Sequence, residues 1–353
     1  MIRELKKVSG GILMATLVAL LSSGCQQTQP TRASAPSMAA DAKHMAMSTE
    51  ATTPRSFRFT YTVKVPAPPP GTRQLDVWVP LPMKDPGVQE VTNLKTSVNG
   101  DASMGKRTTD SRYGNSMFHY SGPAPTEETV ISWTATINRY PDVGQGTLPM
   151  AAQYLKPNRL IPLDGEARRI AQVLGADRTT TPLDVRAKLI YDDVLGAMSY
   201  DKAEPGYGFG DFDRSVKVCK GNCTDFHARF IGTGRAAKIP CRFTMGIPMK
   251  ADASGTYNSY HCWAHWYDGR SWRPVDISEA DKIVDKDPEG AERFFGHLDV
   301  NRIALSFGRD LVLSPPQQGA PLNYFVFPYA EADGAELPMD NSMWEFRYEN
   351  IQP

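Results

Sequence analysis

Three residues that together could carry nucleophilic catalysis fall in one stretch of the chain: Cys223, His261 and Asp276. Asn222-Cys223-Thr224-Asp225 has the form of a helix start, with Asn222 as N-cap and Asp225 at the third helical position. Phe226, Phe230, Thr233 and Ala237 follow at helical spacing, and Ile239-Pro240 closes the segment. This puts Cys223 in the first turn, where unpaired amides and the positive helix end favour thiolate over thiol. A thiolate needs a partner base that can hold and return a proton. Ser259 to Tyr267 has the pattern of a strand, Asp268-Gly269 that of a tight turn, and Arg270 to Ile277 that of a return strand. A two-residue turn pairs residues whose numbers add to 537, which sets His261 opposite Asp276. Opposed residues on one face hold their Cβ atoms ~4.5–5.5 Å apart. Asp276 would then orient the imidazole and favour its protonated form, leaving the other ring nitrogen to face the thiol. Pro274 cannot donate to a ladder, so this register also predicts a bulge or an edge strand. His265 shares the face of His261 but falls opposite Trp272, and its expected role is structural.

A metal centre is the rival chemistry. Cys219, Cys223 and His227 are spaced four apart, and Cys241, His261, Cys262 and His265 add further ligand types. Lys220-Gly221-Asn222 interrupts any helix that would align the first three. His261 and Cys262, being consecutive in a strand, are expected on opposite faces, and no C-x-x-C pair occurs. The expectation is therefore no metal and no cofactor.

The elements that must position Cys223 change character along the chain. Phe57, Phe59, Tyr61, Val63 and Val65 alternate with polar residues, as do Leu75, Val77, Val79 and Leu81, and Met117–Tyr120 and Ile131–Ile137 add two more strands. Gly and Pro punctuation between them predicts an antiparallel β-sandwich-like domain over residues 55–150. His119 is expected to be an ordinary strand residue. After Tyr140 the period becomes helical: Asp164 caps Ala167, Ile170, Ala171 and Leu174, and Thr181-Pro182-Leu183-Asp184 opens a second helix. A Gly-aromatic loop, Gly206 to Phe212, could wall a cleft or lie on the surface. Leu322–Phe327 and the alternating Trp344, Phe346 and Tyr348 are expected as strands closing the sheet that carries His261.

The chain has 353 residues with 39 basic and 39 acidic side chains, 41% hydrophobic residues, and five cysteines. Balanced charge argues against binding nucleic acid through many phosphates, and five cysteines are too few for a disulfide scaffold. Arg3, Lys6 and Lys7 precede an apolar run from Gly11 to Leu21, the layout of a secretory signal over residues 1–24. Leu21-Ser22-Ser23-Gly24-Cys25 resembles a bacterial lipobox, although Ser22 stands where Leu is usual. The resemblance implies a lipid on Cys25. Gln26 in place of Asp implies the periplasmic face of an outer membrane, if the source has one. Residues 25–54 are polar and Pro-rich, a tether reaching about 90 Å at ~3.3 Å per residue. With Cys25 assigned to lipid and Cys223 to catalysis, Cys241 and Cys262 are expected as small buried thiols, a bridge among Cys219, Cys241 and Cys262 being the alternative.

Gly221-Asn222-Cys223, Arg235 to Arg242, His261-Cys262-Trp263 and Trp272 to Asp276 resemble the core of the transglutaminase-like superfamily over about residues 160–330. The resemblance implies an α+β, papain-like core over residues 151–353, with the Cys on a helix facing an antiparallel sheet. It implies Cys223 as nucleophile, His261 as base and Asp276 as orienting acid, acting on amides of proteins or peptides at the cell envelope. Hydrolysis and cross-linking both remain open, and a non-catalytic binding module is the alternative. Cys241 and Cys262 stand where the family commonly has Ala. Lys217 stands near where papain-like relatives carry a Gln that binds the oxyanion.

Overall fold

The computed structural model describes residues 53–351. The expected signal segment and Cys25, with nearly all of the tether, lie outside the described residues. Six strands come first: β1 (Arg55–Val65), β2 (Gln74–Pro80), β3 (Gln89–Val98), β4 (Lys106–Thr109), β5 (Ser116–Pro123) and β6 (Thr129–Arg139). The alternation in β1 buries Phe57, Phe59, Tyr61, Val63 and Val65 on one side, and β6 does the same with Ile131, Trp133, Ala135 and Ile137. The helical region holds α1 (Gly165–Val173), α2 (Leu183–Ala197), β7 (Ser199–Tyr200), α3 (Phe212–Val218), β8 (Lys220–Gly221) and α4 (Cys223–Ala236). Then come β9 (Cys241–Pro248), β10 (Ser254–Tyr257), β11 (His261–Tyr267), β12 (Trp272–Val275), α5 (Ile277–Ile283), α6 (Pro288–Arg293), β13 (Arg302–Phe307), β14 (Tyr329–Ala332), β15 (Ala335–Glu336) and β16 (Trp344–Asn350).

The strands form two five-stranded sheets, ordered β10-β16-β1-β6-β3 and β15-β14-β2-β5-β4, a four-stranded sheet ordered β12-β11-β9-β13, and the pair β7-β8. α4 packs on the four-stranded sheet through β11 and β9. Nearly every residue of α4 is buried, because α1, α2 and α3 cover its remaining sides.

Three expectations are corrected. The strands after residue 320 do not close the sheet of His261: β16 pairs with β1 and β10, and β14 pairs with β2. The aromatic face of β16 finds its complement in β1, where Tyr61 opposes Phe346 with ring centroids 4.4 Å apart. Residues 322–327 form no strand, only a bridge of Leu322 to Leu311. α2 begins after Pro182, which is itself the N-cap and brings no side-chain cap.

The hairpin carrying the expected base is also longer in its turn. Asp268 Oδ1 accepts the Arg270 and Ser271 amides at 2.8 Å, which makes a four-residue loop between Tyr267 and Trp272, the first ladder pair. The register therefore shifts by two, and His265 opposes Pro274 rather than Trp272. β12 is an edge strand, which accommodates Pro274 without a lost ladder bond. It stops at Val275, so Asp276 is not a ladder partner of His261; it leaves the strand and becomes the N-cap of α5.

Candidate active site

The start of α4 is built by a complete capping box. Asn222 Oδ1 accepts the Thr224 amide at 2.9 Å, and the Asn222 amide donates to Asp225 Oδ2 at 2.9 Å. Asp225 also accepts the amides of Gly208 and Gly210 at 2.7 and 3.1 Å, which ties the Gly-aromatic loop to the helix start. A Cβ on Gly221 would lie 2.3 Å from Asp225 Oδ2, so only Gly lets that carboxylate fold back under the loop. Cys223, the next residue after the cap, is buried to 3% exposure.

His261 opens β11, opposite Gly246 of β9. Its Nε2–H donates to Asp276 Oδ2 at 2.7 Å, and the ring also hydrogen-bonds Cys223, for which Nδ1 is the nitrogen left. The expected His–Asp pair therefore forms by a different route: helix capping delivers Asp276, and the ladder does not. Asp276 is saturated. Besides His261 it accepts Arg302 Nη1 at 2.8 Å, Ser278 Oγ at 3.0 Å and the Glu279 amide at 3.3 Å. Arg302 in turn donates to Asp299 at 2.9 Å, and its guanidinium lies 5.2 Å from the Trp263 ring.

The electrostatics follow from these contacts. Burial alone would deprotonate His261, but the charge and hydrogen bond of Asp276, with those of Cys223, hold its pKa up to about 10. Cys223 is pushed well below the ordinary thiol range: first by a hydrogen bond from the Cys262 thiol, then, against burial, by His261. Burial raises Asp276, yet His261 and then Arg302 outweigh it and keep the carboxyl below the usual range. The site can thus hold a thiolate–imidazolium pair and pass one proton between them.

His227 and Cys262 form a layer beneath this pair. His227 Nε2 accepts the Ile277 amide at 3.2 Å, so the neutral ring carries its proton on Nδ1, which lies 3.7 Å from Cys262 Sγ. Burial lowers His227 to about 4, so it is neutral at pH 7. Cys262 is fully buried beside Thr224 and Cys223. The expectation that His261 and Cys262 part to opposite faces therefore fails at this strand end, where both reach α4. Cys241 and Cys262 are free thiols, and they do not oppose each other in the ladder: Cys262 pairs with Met245 and Cys241 with Trp266.

His261, Asp276 and Glu279 bring ligand-type atoms within 4.8 Å of one another. Asp276 is engaged as above, and Glu279 Oε1 accepts from Lys282 Nζ at 2.5 Å. Sequence reasoning missed Arg302, Glu279, and Tyr200, Tyr260 and Tyr324, whose phenols lie within electrostatic reach of Cys223. It weighed His227 only as a metal ligand, and Cys262 as a metal ligand or a small buried thiol, not as a donor to Cys223. The position of His227, four residues after Cys223 on one helix, was the signal that it shares the nucleophile's face. Arg302 has no such signal, being placed by β13 alone.

A buried thiol at a capped helix start thus meets a His–Asp pair at the end of β11, within an α+β core of helices packed on an antiparallel sheet. Residues 169–277 match the family model of the Transglutaminase-like superfamily, a span that includes Cys223, His261 and Asp276. The likeness to that family is carried by residues 169–277. Over 341 residues, 84% of this chain and 90% of the other, it is 28% identical to an uncharacterised protein of Haemophilus influenzae. Among solved structures it is similar to a candidate cysteine protease of Cytophaga hutchinsonii, with 13% identity, a TM-score of 0.48, and 85% and 98% of the two chains covered. It is also similar to a TGase, with 15% identity, a TM-score of 0.26, and 43% and 41% covered.

Proposed function

We propose that the chain is a thiol-dependent acyl-transfer enzyme acting on protein or peptide amides, with Cys223 as nucleophile, His261 as base and acid, and Asp276 as the orienting acid. The observation that carries this reading is the 2.7 Å bond from His261 Nε2 to Asp276, which leaves Nδ1 to the thiol at the capped end of α4. The Cys223 thiolate adds to the amide carbon, and the carbonyl electron pair moves to oxygen. The intermediate collapses as the C–N bond breaks, and the amine departs with the His261 proton, leaving a thioester. Neutral His261 then takes a proton from the acceptor that displaces the thiolate. Water as acceptor gives a peptidase or amidase, and a lysine-type amine gives a cross-linker.

Limiting iodoacetamide at pH 6, followed by mass mapping, tests the reading. Cys223 is expected to be carboxamidomethylated at least tenfold faster than Cys241, whose thiol burial pushes up to about 12. A Cys223 slower than Cys241 would sink it. The proposed setting is a lipid anchor at Cys25 on the envelope. There Cys25→Ala is expected to move the protein from the membrane to the soluble fraction with its thermal melt unchanged. A variant that stays in the membrane pellet at high salt would refute the anchor.

A further inference from the structure

Resting on that triad, one charge in the reaction still lacks a partner: the oxygen of the tetrahedral intermediate. Lys217, the residue nearest the expected position of an oxyanion side chain, is exposed in the last turn of α3. The first turn of α4 supplies a better candidate. The amides of Thr224, Asp225 and Phe226 are spent on Asn222 Oδ1 and the Asn222 carbonyl, which leaves the Cys223 amide as the free donor of that turn among the described residues.

Asn222 also fixes a second donor. With Oδ1 occupied by Thr224, its Nδ2 donates, and the acceptor is the Tyr260 hydroxyl at 3.0 Å. A phenol oxygen that accepts from an amide keeps its own O–H to give; at rest it gives it to the Tyr324 hydroxyl, a partner that a substrate oxygen would replace. Tyr260 immediately precedes His261 and Asn222 immediately precedes Cys223, so this hydroxyl bridges the two chain segments that carry the reacting pair. The ring is held at 5.8 Å against Tyr324 and 5.6 Å against Phe327. Gly208 keeps the space open, since a Cβ there would lie 3.1 Å from Asn222 Nδ2 and 3.5 Å from the Tyr260 oxygen. Tyr260 is only half-buried, so a substrate carbonyl can reach it. Burial and then the Cys223 charge raise the phenol's pKa, so the hydroxyl stays protonated at neutral pH.

We propose that Tyr260 is a catalytic residue whose hydroxyl, together with the Cys223 amide, donates to the oxyanion of the tetrahedral intermediate, with Asn222 as the residue that aims it. Removing one oxyanion donor from a comparable site costs about 10²–10³ in rate, and the surviving backbone donor lowers the expectation here to about 10–100-fold.

The test uses two reagents on the full chain. p-Nitrophenyl acetate acylates Cys223 through a tetrahedral oxyanion, whereas iodoacetamide alkylates it by displacement with none. Tyr260→Phe is expected to slow acylation about 10–100-fold and to leave alkylation within about twofold. Asn222→Ser keeps a cap oxygen but loses the aiming amide, and is expected to slow acylation about 3–10-fold with alkylation again kept. Acylation of Tyr260→Phe at the wild-type rate would overturn the assignment. So would a parallel fall in both rates, which would mean that Tyr260 acts on the thiolate. A wild-type Cys223 that takes neither reagent overturns the thiolate reading itself, and this inference with it.

Discussion

β11 carries two His–Asp pairs, four residues apart, and they behave in opposite ways. His261 donates to Asp276 at 2.7 Å, and His265 donates to Asp142 at 2.9 Å. All four side chains are buried. His261 is held up to about 10, whereas burial and then Arg242 lower His265 despite its carboxylate. The difference lies at the second ring nitrogen. His261 turns Nδ1 to an acidic thiol. His265 turns Nδ1 to the Thr244 hydroxyl at 3.3 Å, and beyond its acid the Arg242 cation acts on it. An imidazole with an acid on each side keeps a proton; one with a carboxylate, a hydroxyl and a cation gives it up. In the proposed reaction the first pair handles the proton. The second joins β11 to Asp142, beyond β6, and holds the β lobe onto the catalytic sheet.

Removing the charge of each acid should break this comparison most visibly. Asp276→Asn is expected to slow acylation of Cys223 about 10–10³-fold, discounted from the ~10⁴ of a hydroxyl-based triad because a thiol ionises more easily. Asp142→Asn is expected to leave acylation within about threefold while lowering unfolding free energy by about 1–3 kcal/mol, since Arg139 nearby loses a counter-charge. Stopped-flow acylation and urea melts of both variants decide the matter. Equal kinetic losses in the two would erase the distinction between the pairs.

A pH series sharpens it with a smaller effect. With Cys223 lowered and His261 raised to about 10, alkylation at Cys223 is expected to vary by less than about threefold between pH 6 and 9. An ordinary thiol would climb through its pKa of about 8.5. Acyl transfer to an amide should fall as pH rises through about 10, because the leaving amine loses its proton source. The stability that His261 contributes is fully present below its unfolded pKa of about 6.5 and is lost as pH rises through about 10. His227, lowered to about 4, and His265 act in the other direction: their share is lost as pH falls below about 6.5. A Cys223 rate that climbs through pH 8–9 like a free thiol would remove the ion pair from the site.

Much of this site was legible because its strongest cues are local. Asn222 and Asp225 are a capping box whatever surrounds them, and Cys223 follows from it. Phe57 to Val65 alternate because one face of β1 is buried. The His261–Asp276 contact was anticipated for a reason that does not hold. Asp268-Gly269 has the composition of a two-residue turn, but the Asp268 carboxylate prefers to cap Arg270 and Ser271, and the lengthened loop moves the register by two. Whether Asp276 ends a strand or begins a helix is settled by Ser278, Glu279 and Arg302, which sequence spacing does not bring together. The aromatic face of β16 announces a half-buried strand, yet a period of two says nothing about which sheet buries it.

The pairing of β16 with β1 also sets the order in which the molecule can be finished. Arg55 Nε reaches Asn350 across 295 residues of chain, and the whole of the helical core and the sheet of His261 lies between them. A strand in the interior of the β lobe is thus supplied after every residue of the triad has been synthesised. Closing so distant a pair is slow, so this sheet is expected to lock after the core between its two ends. A chain cut short before residue 344 would leave β1 and β10 with unpaired edges, open to other strands. The last strand is thereby a condition for closing that sheet.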